Sequence, residues 1–415
     1  MPGFMIKYLT NMRWAKGILV TLIAIWGIIS IDQDVKGIDM RSKNLKSQEA
    51  MVLFLCGDVM TGRGIDQVLP YSVDPRLYEP YVKDAGQYVQ LAERANGPID
   101  QPVSYSYIWE EALEVWEHQD PDFKLINLET GITTHHDPWP GKGIHYRMHP
   151  KNIDLLTTAG IDFCSLANNH IMDWGKEGLL ETLEKLKAAD ILQAGAGKNR
   201  DEAQNPAVLQ SPKGRVIIMA FGSTSSGIPG RWAAGKEQPG VNMLPNAGKS
   251  SFSKIKRQIA AIRQPGDIVI FSVHWGDNWG YQVPDDQRKF AHLLIDRAGV
   301  DLIYGHSSHP PRGIEVYRNK LILYGTGDFL NDYEGISGHE QYRGDLTLMY
   351  FPRIDPADGT LHSLKLIPMQ IKNFQLNPVN QGDREWLLQV LNEKVTLEGT
   401  SVRLNQDGSF YLHWP

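Results

Sequence analysis

The sequence predicts an α/β fold built around buried strands, and three observations predict it. From Met51 onward, short apolar runs alternate with amphipathic stretches, the pattern of strands joined by helices. Polar, metal-competent residues follow five of those runs, at the strand ends where open α/β sheets gather their ligands. The composition is ordinary for a globular chain, with 42% hydrophobic and 22% charged residues.

The 415 residues exceed a usual single domain, so one large α/β domain with appendages, or two domains, is expected. Acids outnumber bases 48 to 42, giving a net charge of −6 with no long basic run. That argues against nucleic acid as a partner, because such binding needs clustered Lys and Arg. Two cysteines exclude a disulfide scaffold. Cys56 and Cys164 fall inside predicted strands and read as buried thiols.

Residues 1–31 carry the one departure from this average. Gly17 to Ile31 is an uncharged run of 15 residues behind Lys7, Arg13 and Lys16. A basic flank before an apolar run reads as a signal peptide or signal anchor, although a spanning helix usually needs roughly 20 residues. The alternatives are a buried helix of the main domain and an over-extended start, since Met51 directly precedes the first clear strand. A membrane anchor through 17–31 is the favoured reading, with an extracytoplasmic body. Were the segment a start-site artefact, the body would be cytoplasmic. The polar stretch 32–50 reads as a linker.

The body, 51–352, follows in order. Met51–Cys56, Phe123–Leu128, Ile161–Leu166, Val216–Phe221, Asp267–His274 and Leu302–Tyr304 are rich in Val, Ile, Leu and Phe and predict buried strands. Trp109, Leu113 and Trp116 mark a helix. Leu179, Leu180, Leu183 and Leu186 mark another, with charges on its opposite face. Asp285 to Ala298 has an acidic first turn and is followed by Gly299, good start and stop signals. Ser223–Gly240 is rich in Gly, Pro and Ser and predicts a surface loop or lid. Beyond Ile314, the runs Ile314–Tyr317, Leu321–Tyr324, Leu346–Phe351 and Leu364–Ile371 predict a second, mainly antiparallel sheet. Residues 353–415 form an extension packed on the same domain, with a last helix near Glu385 to Asn392.

Chemistry concentrates at the strand ends. Asp58 stands in LCGDVMTGRG, Glu129 in INLETGIT, and Asn168, Asn169 and His170 in SLANNHIMDWG. His274 stands in FSVHWGDNWG, and His306 and His309 in IYGHSSHPPRG. Carboxylate, amide and imidazole without thiolate suit divalent Mn, Fe or Zn, often as a pair. Two ions roughly 3.5–4 Å apart could clamp an attacking hydroxide and a phosphoryl oxygen. Glu129, midway in the ligand order, is the candidate bridge.

In sequence order, GD, NLE, ANNH-x-x-D-x-G, HWG, GH-x-x-H-P and YGTGDF resemble the CapA family of poly-γ-glutamate capsule-synthesis proteins. That family is similar to the calcineurin-like metallophosphoesterases. The resemblance runs from about Met51 to Tyr333 and implies a four-layer α/β/β/α sandwich. It implies one metal on Asp58 and His309, another on Asn169, His274 and His306, and Glu129 shared between them. His170 would donate a proton to the leaving group, with Asp173 orienting its ring. Asp58-Val59-Met60 departs from the Asp-x-His of the phosphoesterases, Glu129 replaces their Asp, and Asp328 stands where many capsule proteins have Asn. These departures point to a weaker, mononuclear or catalytically modest site.

Arg63, Asn168 and Arg147 are the candidate substrate contacts, the arginines through their planar forks. His135, His136, His145 and His149 fit no ligand template and are expected at the surface or rim. Trp275 and Trp279 either wall the site or pack. Three functions are compatible with these residues. The first is a membrane-anchored metal-dependent hydrolase of a phosphoester or related bond. The second is a non-catalytic accessory subunit that binds poly-γ-glutamate or a membrane synthase complex. The third is a soluble phosphoesterase acting on small phosphates.

Overall fold

A computed structural model describes residues 50–415, so the anchor and nearly all of the linker lie outside the described residues. In chain order the first strands are β1 (Met51–Val59), β2 (Phe123–Leu128), β3 (Phe163–Ser165), β4 (Leu192–Ala194), β5 (Ala207–Ser211), β6 (Gly214–Ser223), β7 (Met243–Leu244) and β8 (Asp267–His274). They continue as β9 (Leu302–His306), β10 (Pro311–Tyr317), β11 (Lys320–Thr326), β12 (Asp328–Leu330), β13 (Leu346–Ile354), β14 (Leu361–Lys372), β15 (Gln375–Pro378), β16 (Ser401–Leu404) and β17 (Phe410–His413). The longer helices are α1 (Gly86–Asn96), α2 (Glu111–Gln119), α3 (Gly175–Ala188), α4 (Lys249–Ile262), α5 (Asp285–Ala298) and α6 (Gln381–Val390). Residues 51–415 form one compact unit, and among the described residues no helix is long and apolar enough to cross a membrane.

One sheet has the order β16-β17-β14-β13-β1-β2-β3-β4, with β12 beside β1 and β15 beside β14. The other runs β7-β6-β8-β9-β11-β10, with β5 beside β6. Their centres are parallel: β1 with β2, β6 with β8, β8 with β9. Antiparallel strands extend them at the edges.

Side-chain alternation explains the packing of the second sheet. Val216, Ile218 and Ala220 of β6 and Ile268 and Ile270 of β8 join the large core shared with the first sheet. Their neighbours Ile217, Met219, Phe221, Val269, Phe271 and Val273 pack with Ile255 and Ile259 of α4 and with Phe290, Ala291 and Leu294 of α5. A strand buried on both faces needs apolar residues at every position, which is why these runs read as continuous. In the first sheet Phe54 meets Trp116 of α2 edge-on at 5.0 Å and Phe351 of β13 at 5.5 Å. Helix α5 has the predicted bounds, with Gly299 in the left-handed region (φ 80°) at its end. Both cysteines are free and buried.

Two expectations are corrected. The strands beyond Ile314 do not make a sheet of their own: β10 and β11 complete the second sheet, whereas β13 and β14 extend the first. The chain changes sheets at Gly327–Asp328, where β12 pairs in parallel with the end of β1; alternation of apolar residues carries no information about which neighbour a strand chooses. Ser223–Gly240 is not wholly a surface loop. Ile228 and Trp232 are buried within it, and Ser226 Oγ donates to the His274 carbonyl at 3.0 Å, so the segment braces a strand end.

Gly57 marks the closest approach of β1 to the crossover. Asp58 N donates to Gly327 O at 2.9 Å, and a Cβ on Gly57 would lie 2.0 Å from that oxygen. Gly57→Ala is therefore expected to destabilise by at least about 1–3 kcal/mol, seen as a lowered chemical-denaturation midpoint. Gly230→Ala, whose added Cβ meets nothing within 4 Å, should leave the midpoint unchanged.

Candidate metal centre

Strand ends from both sheets meet at one point. Asp58 closes β1, flanked in register by Asn127 of β2 and Asp328 of β12. Its Oδ1 accepts from Asn127 Nδ2 at 2.7 Å and its Oδ2 from Ser307 N at 3.2 Å. Ser307 reaches it from a left-handed conformation, φ 101°, unusual for a non-glycine residue and typical of functional turns. From the other sheet come His274 and His306, in register at the ends of β8 and β9. One ligand atom each from Asp58, His274 and His306 lies within 4.8 Å of the others.

The hydrogen bonds around the two imidazoles decide whether a cation fits. His306 Nε2 lies 2.9 Å from Ser272 Oγ, whose own proton goes to Ser165 Oγ at 3.1 Å. His274 Nε2 lies 2.9 Å from Asn169 Oδ1, an acceptor. Both Nε2 atoms therefore carry protons, and two Nδ1 lone pairs face each other at 2.8 Å. Burial pushes His306 down to about 3, and burial and His306 push His274 well below its ordinary value, so a proton does not settle between them at neutral pH. Neutral imidazoles with their far nitrogens anchored are what a metal requires, and Asp58, His274 and His306 form a group that could hold one. The acids point the same way. Burial and the adjacent Asp328 raise Asp58 to about 8, and burial and Asp58 raise Glu129 well above the usual carboxylate range. Carboxylates crowded this way are relieved by positive charge.

The other expected residues divide around this trio. Glu129 Oε1 lies 3.7 Å from His274 Nε2 and 4.0 Å from His170 Nε2, so Glu129 and Asn169 flank His274. His309 is oriented elsewhere: its Nδ1 lies 2.9 Å from Asp328 Oδ1 and its Nε2 3.3 Å from Asn278 Nδ2. The resemblance paired Asp58 with His309; one ligand atom each of Asp58, His274 and His306 comes together, while His309 bonds to Asp328, the register neighbour of Asp58. His170 Nδ1 lies 2.6 Å from Asp173 Oδ2, and its ring stacks on Tyr146 at 3.9 Å. Burial brings His170 down to about 4, so the ring is neutral with its proton toward Asp173. Nε2 then faces the cavity, the side from which the expected proton donation to a leaving group would be made.

Above the centre opens a cavity of about 980 Å³ whose lining includes Glu129, Asn169, His170 and His309. Trp279 walls it, stacked on His339 at 3.7 Å, while Trp275 is buried and donates to Tyr324 O.

The three candidate substrate contacts fare differently. Arg63 lines the cavity, but its Nε donates to Asp332 at 3.2 Å and its Nη1 to Glu79 and Tyr88 at 2.9 Å each. It is a buried pillar rather than an open anion fork. Arg147 lies over the Trp174 ring at 3.7 Å and donates to His135 O and Asp74 O; it does not line the cavity. Asn168 is fully buried, its Nδ2 donating to Asn127 Oδ1 and the Leu128 carbonyl and its Oδ1 accepting from His170 N, so it shapes the turn. Of the four loop histidines, His136 is exposed beside Asp137 and His145 is buried against Trp174; among the described residues no metal-competent group includes any of them. Asn127 and Lys142 were not singled out by sequence reasoning. Asn127 lies inside the NLE motif, whereas Lys142 sits in an irregular loop with no pattern to mark it.

The family follows from the sequence match over these same motifs. Residues 52–333 match the family described as bacterial capsule synthesis protein PGA_cap. The chain belongs to that family. A probable polyglutamine synthesis accessory protein of Mycobacterium tuberculosis is 46% identical over 82% of this chain and 90% of its own length. Capsule biosynthesis protein CapA of Bacillus anthracis is 26% identical over 81% of this chain and 71% of its own. The PGA biosynthesis protein CapA of Bacillus subtilis is 28% identical over 69% and 64%. Among solved structures, a novel phosphatase of Mycoplasma pneumoniae superposes with a TM-score of 0.45 at 12% identity, covering 79% of this chain and 95% of that one.

The shifted groups set a pH dependence. Between about 3 and 6.5, unfolded histidine binds protons that folded His306 does not, so that term makes stability rise with pH. Asp58 acts oppositely: the folded carboxyl keeps a proton up to about 8 that the unfolded one loses near 3.8, so stability falls as pH rises. Asp66, raised to about 7 by burial, adds to the fall below that point. Above pH 7 the Asp58 term remains, and the raised Glu129 acts in the same direction. Thermal melts of metal-free protein should therefore show Tm declining from pH 7 to 8, and saturating Mn²⁺ or Zn²⁺ should abolish the decline.

Proposed function

We propose that this capsule-family protein is a membrane-anchored, extracytoplasmic, metal-dependent hydrolase acting on a phosphoester or a related acyl or amide bond during synthesis of a glutamate-type polymer. The single observation that supports it best is the pair of Nδ1 lone pairs of His274 and His306, 2.8 Å apart beside the Asp58 carboxylate. A divalent ion held by Asp58, His274 and His306 supplies Lewis acidity toward a phosphoryl or acyl oxygen. Mn, Fe or Zn all suit this donor set, and Glu129, Asn169 and His309 are the groups available to a second ion. His170, held by Asp173, receives or returns a proton at Nε2, while Tyr146 fixes its ring from the side. Trp279 and His339 narrow the approach and exclude water. The partition of apolar residues between the inter-sheet core and the α4–α5 layer supports the four-layer sandwich as the architecture.

A second reading, a metal-containing accessory subunit without turnover, draws on Met60 standing where the phosphoesterase motif has histidine. In that case the ion would serve as a cationic anchor for polymer carboxylates or for a membrane synthase. A soluble phosphoesterase on small phosphates follows only if residues 1–50 are not part of the native protein.

Metal analysis of the purified full-length chain should find bound divalent ion, lost in His274→Gln and His306→Gln. Hydrolysis of p-nitrophenyl phosphate or its bis-ester should fall at least a hundredfold in His170→Ala and in Asn169→Ala. Metal-loaded protein that retains polyglutamate yet turns over no ester would select the accessory reading. Membrane fractionation of the full chain against a chain started at Met51 should release only the shorter form; equal solubility would reject the anchor.

A further inference from the structure

Three cationic side chains line the cavity: Arg63, Lys142 and Arg343. Two are heavily committed to carboxylates. Arg63 forks onto Asp332 and also donates to Glu79. Arg343 donates to both oxygens of Asp345 at 2.8 Å and to Asp383 at 2.7 Å, so two acids outweigh its charge.

Lys142 differs. An ammonium has three N–H donors. The ammonium is ion-paired with Asp173 Oδ1 at 2.6 Å, and one N–H goes to the Ile144 carbonyl at 3.1 Å. Another approaches His170 Nδ1 at 3.1 Å. That nitrogen, 2.6 Å from Asp173 Oδ2, directs its own proton at the carboxylate and so offers no lone pair to the lysine. Lys142 therefore keeps a surplus donor beside the imidazole that faces the cavity floor. Its side chain is 16% exposed, enough to meet a ligand without facing bulk water. Asp173 also accepts Tyr146 N at 2.8 Å, so lysine, histidine and loop are held as one rigid group. A pre-positioned cation with an unused N–H in a partly dry site is an oxyanion contact.

We propose that Lys142 contacts substrate, its ammonium donating to an anionic oxygen, phosphate or carboxylate, bound beside His170. The role rests on the hydrolase reading above and assigns it a further residue.

Calorimetric titration of the full-length, metal-loaded protein tests this with inorganic phosphate and with a γ-linked glutamate oligomer as separate probes. Lys142→Met should weaken the preferred anion about tenfold or more, with metal content unchanged and Lys142→Arg restoring most of the affinity. The stronger of the two probes identifies the oxygen class. In the wild type, the bound anion should also slow acetylation of Lys142, read by peptide mass spectrometry, which needs no variant to fold. Unchanged anion affinity in Lys142→Met, or no protection in the wild type, would show that the lysine only pins its loop. Affinity that depends on Lys142 but not on metal would overturn the hydrolase reading while leaving this role standing.

Discussion

The centre depends on one close approach: the end of β1 in one sheet against the ends of β8 and β9 in the other. There a buried carboxylate that resists ionisation meets two buried imidazoles that resist protonation. Neither side is comfortable alone. Asp58 sits beside Asp328, and His274 and His306 present lone pairs to each other across 2.8 Å. A positive ion held there would relieve both, because it favours ionised carboxylate and neutral imidazole together.

Much of the surrounding structure holds that approach in place. The Gly57–Gly327 contact lets β12 enter parallel to β1, and Ser307 turns through a left-handed conformation to place its N–H on Asp58. Ser272 and Asn169 fix the far nitrogens of the two imidazoles. Behind them, Ser226 ties the 223–240 segment to the end of β8. Each tie replaces water with a fixed dipole, so the donors are arranged before any ligand arrives.

The cations of the cavity are each paired with wall acids. Asp332 and Glu79 hold Arg63, Asp345 and Asp383 hold Arg343, and Asp173 alone holds both Lys142 and His170. Buried ion pairs of this sort contribute geometry more than net stability.

Strand identity and motif position were determined by the sequence itself. Runs buried on both faces announce themselves by continuous Val, Ile, Leu and Phe, and Asp58, Glu129, Asn169, His170, His274, His306 and His309 were legible because each follows such a run. The Asp173–His170 pair was equally legible, three residues apart in one turn. Only the tertiary structure decided which late strands joined which sheet, that Asp58 meets His274 and His306 while His309 turns to Asp328, and that Arg63, Arg147 and Asn168 are consumed internally. It alone brought Lys142 to the site. The reason is physical: local patterns report burial and backbone preference, whereas partner choice among polar groups is settled between segments that those patterns do not relate, from His309 and Asp328 to Asp58 and Ser307 or Arg63 and Asp332.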